Sequence, residues 1–228
     1  MRIPLKFCKI SDGQAAAKML SARLTKELTA KKRVLWLVSG GSNIAIEVAV
    51  MQRLPANLQP YLAIMLTDER YGKFGHKNSN LQQLYDAGFA PGKATVVPVL
   101  MPEYLSLDDC VARYRAVVEA VLANADIIIA QFGIGADGHI AGLLPGSAAL
   151  KVPRLVDGFE AKDFMRVTLT PPALKRISVA FAFVYGRAKR EALKNLRDKN
   201  LPLAEQPAQI LKQIPEAYVY NDQIGEKS

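Results

Sequence analysis

The sequence predicts an α/β fold: a three-layer, Rossmann-like, mainly parallel sheet with helices on both faces. Two observations carry this expectation. Short runs rich in β-branched and aromatic residues alternate with longer stretches whose apolar residues recur at spacings of three and four. The short runs are apolar almost throughout rather than at every second position, as in strands covered on both sides by crossover helices. With 228 residues, half of them hydrophobic, the chain can bury one sizeable core, and a single domain over 1–228 is expected.

In chain order, a helix is expected at about 14–30, followed by the apolar strand Val34 to Val38 and a helix over 43–53. A strand from Tyr61 to Leu66, a helix over 78–86 and a strand from Thr95 to Val99 come next. The helix expected at 106–123 shows Leu107, Cys110, Val111, Tyr114, Val118 and Val121 at helical spacing, and Ser106 with Asp109 resembles its N-terminal capping box. Ile127 to Phe132 reads as a buried strand. The stretch from Gly146 to Asp163 is the least regular and reads as a loop or small excursion. Core strands are then expected at Arg166 to Leu169, Val179 to Tyr185 and Ala217 to Tyr220, with a helix over 187–197 before the last and fraying from Gly225 to Ser228.

Composition narrows the function classes. The apolar stretch Val179 to Tyr185 is far short of the ~20 residues that a membrane-spanning helix needs. Met1 to Phe7 lacks the apolar core and small-residue cleavage site of a secretory signal, so a cytoplasmic, membrane-independent protein is expected. The two cysteines, Cys8 and Cys110, form neither a disulfide framework nor a zinc-ligand spacing. The net charge of +9 raises the question of nucleic acid. However, Arg187, Arg190, Lys194 and Arg197 recur at helical spacings of three and four while Leu193 and Leu196 fall on another face, which is the pattern of a mostly solvated surface. No aromatic-interleaved basic surface accompanies it, so a small anionic ligand fits better than nucleic acid.

In parallel sheets, ligands bind beyond the carboxyl ends of the strands, and four segments fall at such places. Ser39-Gly40-Gly41-Ser42-Asn43 follows the strand ending at Val38 and precedes a helix, so its amides and the helix N-terminus suit an anion. Thr67-Asp68-Glu69-Arg70 follows the next strand: Arg70 offers a fork of donors, Asp68 can orient a hydroxyl or a water, and Asn80 further on can cap a helix or meet a sugar. In Gly133-Ile134-Gly135-Ala136-Asp137-Gly138-His139, glycines permit a tight turn while Asp137 and His139, two apart, can project to one side. Lys189 shares the inward row of its helix with Ala192, Leu193 and Leu196, so its ammonium can reach the sheet-end crevice.

SGGS at 39–42, DER at 68–70, SN at 79–80, GIGADGHIAGLLPG at 133–146 and YGRAKREAL at 185–193, in this order, resemble the 6-phosphogluconolactonase family over nearly the whole chain. The resemblance implies a cofactor-free and metal-free hydrolase that converts 6-phospho-D-glucono-1,5-lactone to 6-phospho-D-gluconate in the oxidative pentose phosphate pathway, on the fold shared with glucosamine-6-phosphate isomerases. It implies His139 as general base, Arg70 and Lys189 as ligands for phosphate or carbonyl, and Ser39 to Ser42 as the phosphate loop; beside that implication, Asp137 is placed to fix the tautomer of His139. The expected partner is therefore a phosphorylated sugar lactone, bound by a monomer or weak homodimer.

The related glucosamine-6-phosphate deaminases are the alternative, since they share the SGG-type loop and the GIGxDGHIA segment. Their pattern runs on as DGHIAFNEP, whereas this chain has Leu144 before Pro145, and a leucine cannot relay protons. They also usually carry a tyrosine-type residue where Arg70 stands here. A non-catalytic sugar-phosphate sensor is a further alternative, without a DNA-binding segment in its favour. The chain departs from the lactonase pattern at Asn43-Ile44 in place of Thr-Pro, at Tyr71-Gly72 in place of Val-Pro, and at Leu144 in place of Phe.

Overall fold

A computed structural model of the chain describes residues 5–10, 12–103 and 105–226. The expected signal-free start falls mostly outside them, as does the end of the expected fraying segment. The strands are β1 (Lys6–Lys9), β2 (Val34–Val38), β3 (Leu62–Leu66), β4 (Asp68–Arg70), β5 (Thr95–Val97), β6 (Ile127–Phe132), β7 (Val156–Glu160), β8 (Met165–Leu169), β9 (Val179–Val184) and β10 (Glu216–Asn221). The helices are α1 (Gly13–Thr29), α2 (Ile44–Arg53), α3 (Asn80–Asp86), α4 (Leu107–Asn124), α5 (Pro171–Leu174) and α6 (Arg190–Asp198).

Seven strands form one sheet in the order β1-β10-β9-β6-β2-β3-β5, and every pairing in it is parallel. β2, β6 and β9 are buried at every position, and their residues are apolar throughout except Gln131 of β6. Connections out of β1, β2 and β3 run toward one edge of the sheet, and those out of β5, β6 and β9 run toward the other. Because parallel crossovers are right-handed, α1, α2 and α3 lie on one face while α4 and α6 cover the opposite one. The direction reverses between β2 and β6, and that switch point opens a crevice at their carboxyl ends.

The structure revises or refines the sequence expectations at several places. Arg166 to Leu169 is not a strand of the main sheet: within β8 it pairs antiparallel with β4 and β7 in a separate three-stranded sheet. The charged triplet 68–70, placed by the sequence directly after a strand, itself forms the short strand β4, and the irregular stretch contains β7, so that it makes a small excursion into the second sheet. Arg187–Lys189 is a 3-10 turn ahead of α6 rather than its first helical turn. The capping of α4 is confirmed in part, since Ser106 Oγ accepts the Asp109 N–H at 3.1 Å, but the Asp109 carboxylate returns to the Ser106 hydroxyl rather than to its amide.

The small sheet docks against α4 through Gly158, where a Cβ would come within 2.6 Å of Val111 Cγ2. Both cysteines are free, with Cys110 buried. No helix among the described residues is long and apolar enough to cross a membrane.

Candidate active site

At the switch point lies a cavity of about 290 Å³ lined by Ser39, Gly40, Gly41, Ser42, Asp68, Arg70, Asn80, His139 and Lys189 together with Asp163 and Arg166. Nine of the ten residues singled out in the sequence line this one space; Asp137 does not. A second cavity of about 310 Å³, at the opposite strand ends, is walled mainly by apolar groups such as Leu35, Leu62 and Val121. Only the first assembles cations, carboxylates and an imidazole.

The serine-glycine loop reverses the chain through two glycines of positive φ, Gly40 at 69° and Gly41 at 64°, a region costly for side chains carrying a Cβ. Gly40 is also hemmed in, since a Cβ there would stand 3.1 Å from Asn80 Oδ1. The Ser39 and Gly40 amides are already spent, donating to Glu47 Oε1 at 3.0 and 3.1 Å. The anion cradle is therefore smaller than the motif suggests: the donors left are the first-turn amides of Gly41 and Ser42, which have no partner within the turn, and the Ser42 hydroxyl. Asn43 does not cap α2; its Nδ2 donates to Phe132 O at 2.9 Å and ties the loop to the end of β6.

β4 carries Asp68 and Arg70 into the cavity from the small sheet. Burial pushes the Asp68 carboxyl above its ordinary range, against the opposing effects of Arg166, the Thr67 hydroxyl, Arg70 and His139. Asn80 is buried, and its side chain is occupied as a donor to Asp68 O at 2.9 Å. It therefore positions β4; the α3 cap is Ser79, which accepts from the Gln82 amide at 3.2 Å. Arg70 Nη1 donates to Asn78 O at 3.0 Å, the guanidinium lies 5.3 Å from the Phe164 ring centroid, and its buried Nε has no acceptor. His76 stands behind it, bonded through Nε2 to Arg70 O at 3.0 Å, and is absent from the cavity wall.

Arg166 escaped the sequence reading. Its Nη2 donates to Asp163 at 2.7 Å, its Nη1 lies 3.7 Å from Asp68 Oδ2, and its buried Nε is unpaired. The available signal was an arginine at the head of a strand that also carries Thr168 and Thr170 in its continuation. Lys189, in the turn before α6, lines the cavity from the other side without an ion-pair partner among the described residues.

His139 leaves the turn after β6 with its Nδ1 2.7 Å from Asp137 Oδ1, and Asp137 also accepts the His139 amide at 3.2 Å. Burial works to raise the Asp137 carboxyl, but these His139 contacts outweigh it and hold the group below its usual range. An ionised carboxylate only accepts, so the neutral ring keeps its proton on Nδ1 and a lone pair on Nε2. Gly135 makes this possible, because a Cβ there would fall 2.1 Å from His139 Nδ1. Thr168 Oγ1 donates to Ala141 O and binds the histidine loop to the small sheet.

The family model described as glucosamine-6-phosphate isomerases/6-phosphogluconolactonase matches residues 12–219. The chain is 29% identical over 213 residues to the 6-phosphogluconolactonase of Caulobacter vibrioides, with 87% of each chain covered. It is 27% identical over 192 residues to that of Xylella fastidiosa strain Temecula1, covering 79% of this chain and 78% of the relative. Among solved structures, a 6-phosphogluconolactonase from Shewanella baltica superposes with a TM-score of 0.77 at 17% identity, covering 97% of this chain and 99% of that one. The Trypanosoma brucei 6-phosphogluconolactonase gives 0.75 at 16% identity with 96% of both covered. At such identities the structural likeness speaks for the fold.

Proposed function

Since the chain belongs to the family of glucosamine-6-phosphate isomerases and 6-phosphogluconolactonases, we propose that it hydrolyses 6-phospho-D-glucono-1,5-lactone to 6-phospho-D-gluconate. The observation that carries this reading is the anchored imidazole in a cavity with three cationic side chains, Arg70, Arg166 and Lys189. Nothing in that reading calls for a metal or cofactor, because a lactone carbonyl needs only an activated water and a place for the negative charge.

His139 Nε2 takes a proton from water as the oxygen attacks the lactone carbon. The carbonyl oxygen becomes an oxyanion, held by a cationic side chain of the cavity. As the intermediate collapses, the bond from the carbon to the ring oxygen breaks, and the imidazolium returns its proton to that oxygen as the new hydroxyl. Asp137 supports the ring while it is charged. Lys189, the Gly41 and Ser42 amides and the Ser42 hydroxyl hold the 6-phosphate. The protein acts in the cytoplasm as a monomer or weak homodimer.

Leu144 separates this reading from deamination of glucosamine 6-phosphate, because a hydrocarbon side chain stands half-buried where the deaminase pattern places a glutamate. Freshly generated 6-phosphogluconolactone at slightly acidic pH, compared with glucosamine 6-phosphate, tests the assignment. Faster loss of the lactone with no ammonia from the amino sugar is the expected outcome. Ammonia release, or binding of both compounds without turnover, would replace it with the deaminase or the sensor.

A further inference from the structure

Glu47 sits in the first turn of α2 with no solvent exposure. One of its oxygens, Oε1, accepts both the Ser39 and the Gly40 amides. The other, Oε2, is buried and has no partner. A bare carboxylate oxygen in that setting is costly, and the acid lies behind a loop suited to an anion, where a second negative charge opposes binding. A neutral carboxylic acid resolves both conflicts. The proton sits on Oε2, while Oε1 remains a carbonyl acceptor for the two amides. Burial raises Glu47 from 4.5 to about 7, the two amides pulling it down and Asp68, the charged group that acts on it from β4, pushing it further up.

We propose that Glu47 is the positioning residue of the anion cradle: it draws the Ser39 and Gly40 amides inward through one oxygen, and it takes up a proton on the other when a phosphate dianion settles on the loop. Ser39 and Gly40 then shape the cradle while Gly41 and Ser42 contact the ligand. The inference rests on the functional reading above for the identity of the anion, the phosphate of a sugar phosphate. Proton uptake makes that phosphate bind less tightly as the solution becomes alkaline, independently of what His139 does.

Calorimetric titration of the full chain with 6-phosphogluconate, in two buffers of different ionisation enthalpy, reads the uptake directly. Glu47→Gln keeps an acceptor for both amides but cannot titrate; Glu47→Leu removes both properties. Near pH 8 the unsubstituted protein is expected to take up roughly one proton more per ligand than Glu47→Gln, and its Kd is expected to rise up to about tenfold more per pH unit. Glu47→Leu is expected to raise Kd and KM at every pH while kcat changes far less, and Glu47→Gln to restore both. Equal proton uptake by the unsubstituted protein and Glu47→Gln, with binding intact, overturns the inference alone. Absence of 6-phosphogluconate binding at any pH overturns the functional reading and the inference together. Should Glu47→Gln fail to fold, infrared difference spectra of the unsubstituted protein supply the test, with Asp68→Asn as control for the neighbouring acid. A protonated-carboxyl band gained on ligand addition in both supports the inference, and its absence overturns it.

Discussion

Asp137 Oδ1 lies 2.7 Å from His139 Nδ1, an ion-dipole contact two residues long that decides which ring nitrogen can act as a base. We expect His139→Ala to lower kcat by about 10²- to 10⁴-fold, the usual share of a general base. Asp137→Asn should cost less, because an amide oxygen can still accept from Nδ1 but no longer balances the charged ring. Steady-state kinetics on the lactone check both, and unchanged turnover in His139→Ala would remove the residue from the reaction.

Gly135 supplies the space for that contact. A Cβ at this position would stand 2.1 Å from His139 Nδ1 and 2.4 Å from Asp137 Oδ1, so neither group could keep its place. Gly135→Ala is therefore expected to lose turnover on the scale of His139→Ala while melting cooperatively, at a stability cost of about 1–3 kcal/mol. A variant with native kinetics would mean that the turn yields more easily than its packing suggests.

Lys189→Ala should act mainly on KM, since an anchor on the phosphate holds substrate and transition state alike. Arg166→Ala should also raise KM, and in addition leave the buried Asp68 without its neighbour 3.7 Å away. Binding of 6-phosphogluconate is expected to weaken with added salt, and less steeply in Lys189→Ala than in the unsubstituted chain. Equal KM values and equal salt dependence would place the lysine outside the site.

Glu47 also makes stability depend on pH. Its folded-state value is raised from 4.5 to about 7, so the stability it contributes is complete below about 4.5 and is lost as pH rises through about 7. At 1.36 kcal/mol per pH unit, the loss is on the order of 3 kcal/mol in mild alkali. Denaturant unfolding of Glu47→Gln at two pH values should show the variant gaining on the unsubstituted chain by roughly this amount between about pH 5 and pH 9. A pH-independent difference would mean that Glu47 stays in one protonation state throughout.

Much of the architecture was legible in the sequence because it depends on local pattern. Unbroken apolar runs such as 34–38 and 179–184 have few ways to be covered, so the parallel sheet and its five longest helices could be placed within a few residues. The short strands were not legible in this way. Asp68, Glu69 and Arg70 are polar and few, and they form a strand only because β8, nearly a hundred residues on, supplies the ladder. β1 and β7 likewise take their shape from β10 and β8.

The candidate site divides along the same line. Glycine-rich turns, a histidine two residues after an aspartate and a lysine just ahead of a helix are features of contiguous sequence, and the sequence alone determined them together with the strand ends on which they lie, although the helical row expected for Lys189 became a 3-10 turn. Tertiary structure alone decided that Glu47 claims two amides of the serine-glycine loop, that Asn80 braces Asp68 through its Nδ2 while lining the cavity, and that Arg166 joins the cavity. Each of these depends on which polar group lies within hydrogen-bond reach or loses its water, and those distances exist only after the sheet has closed.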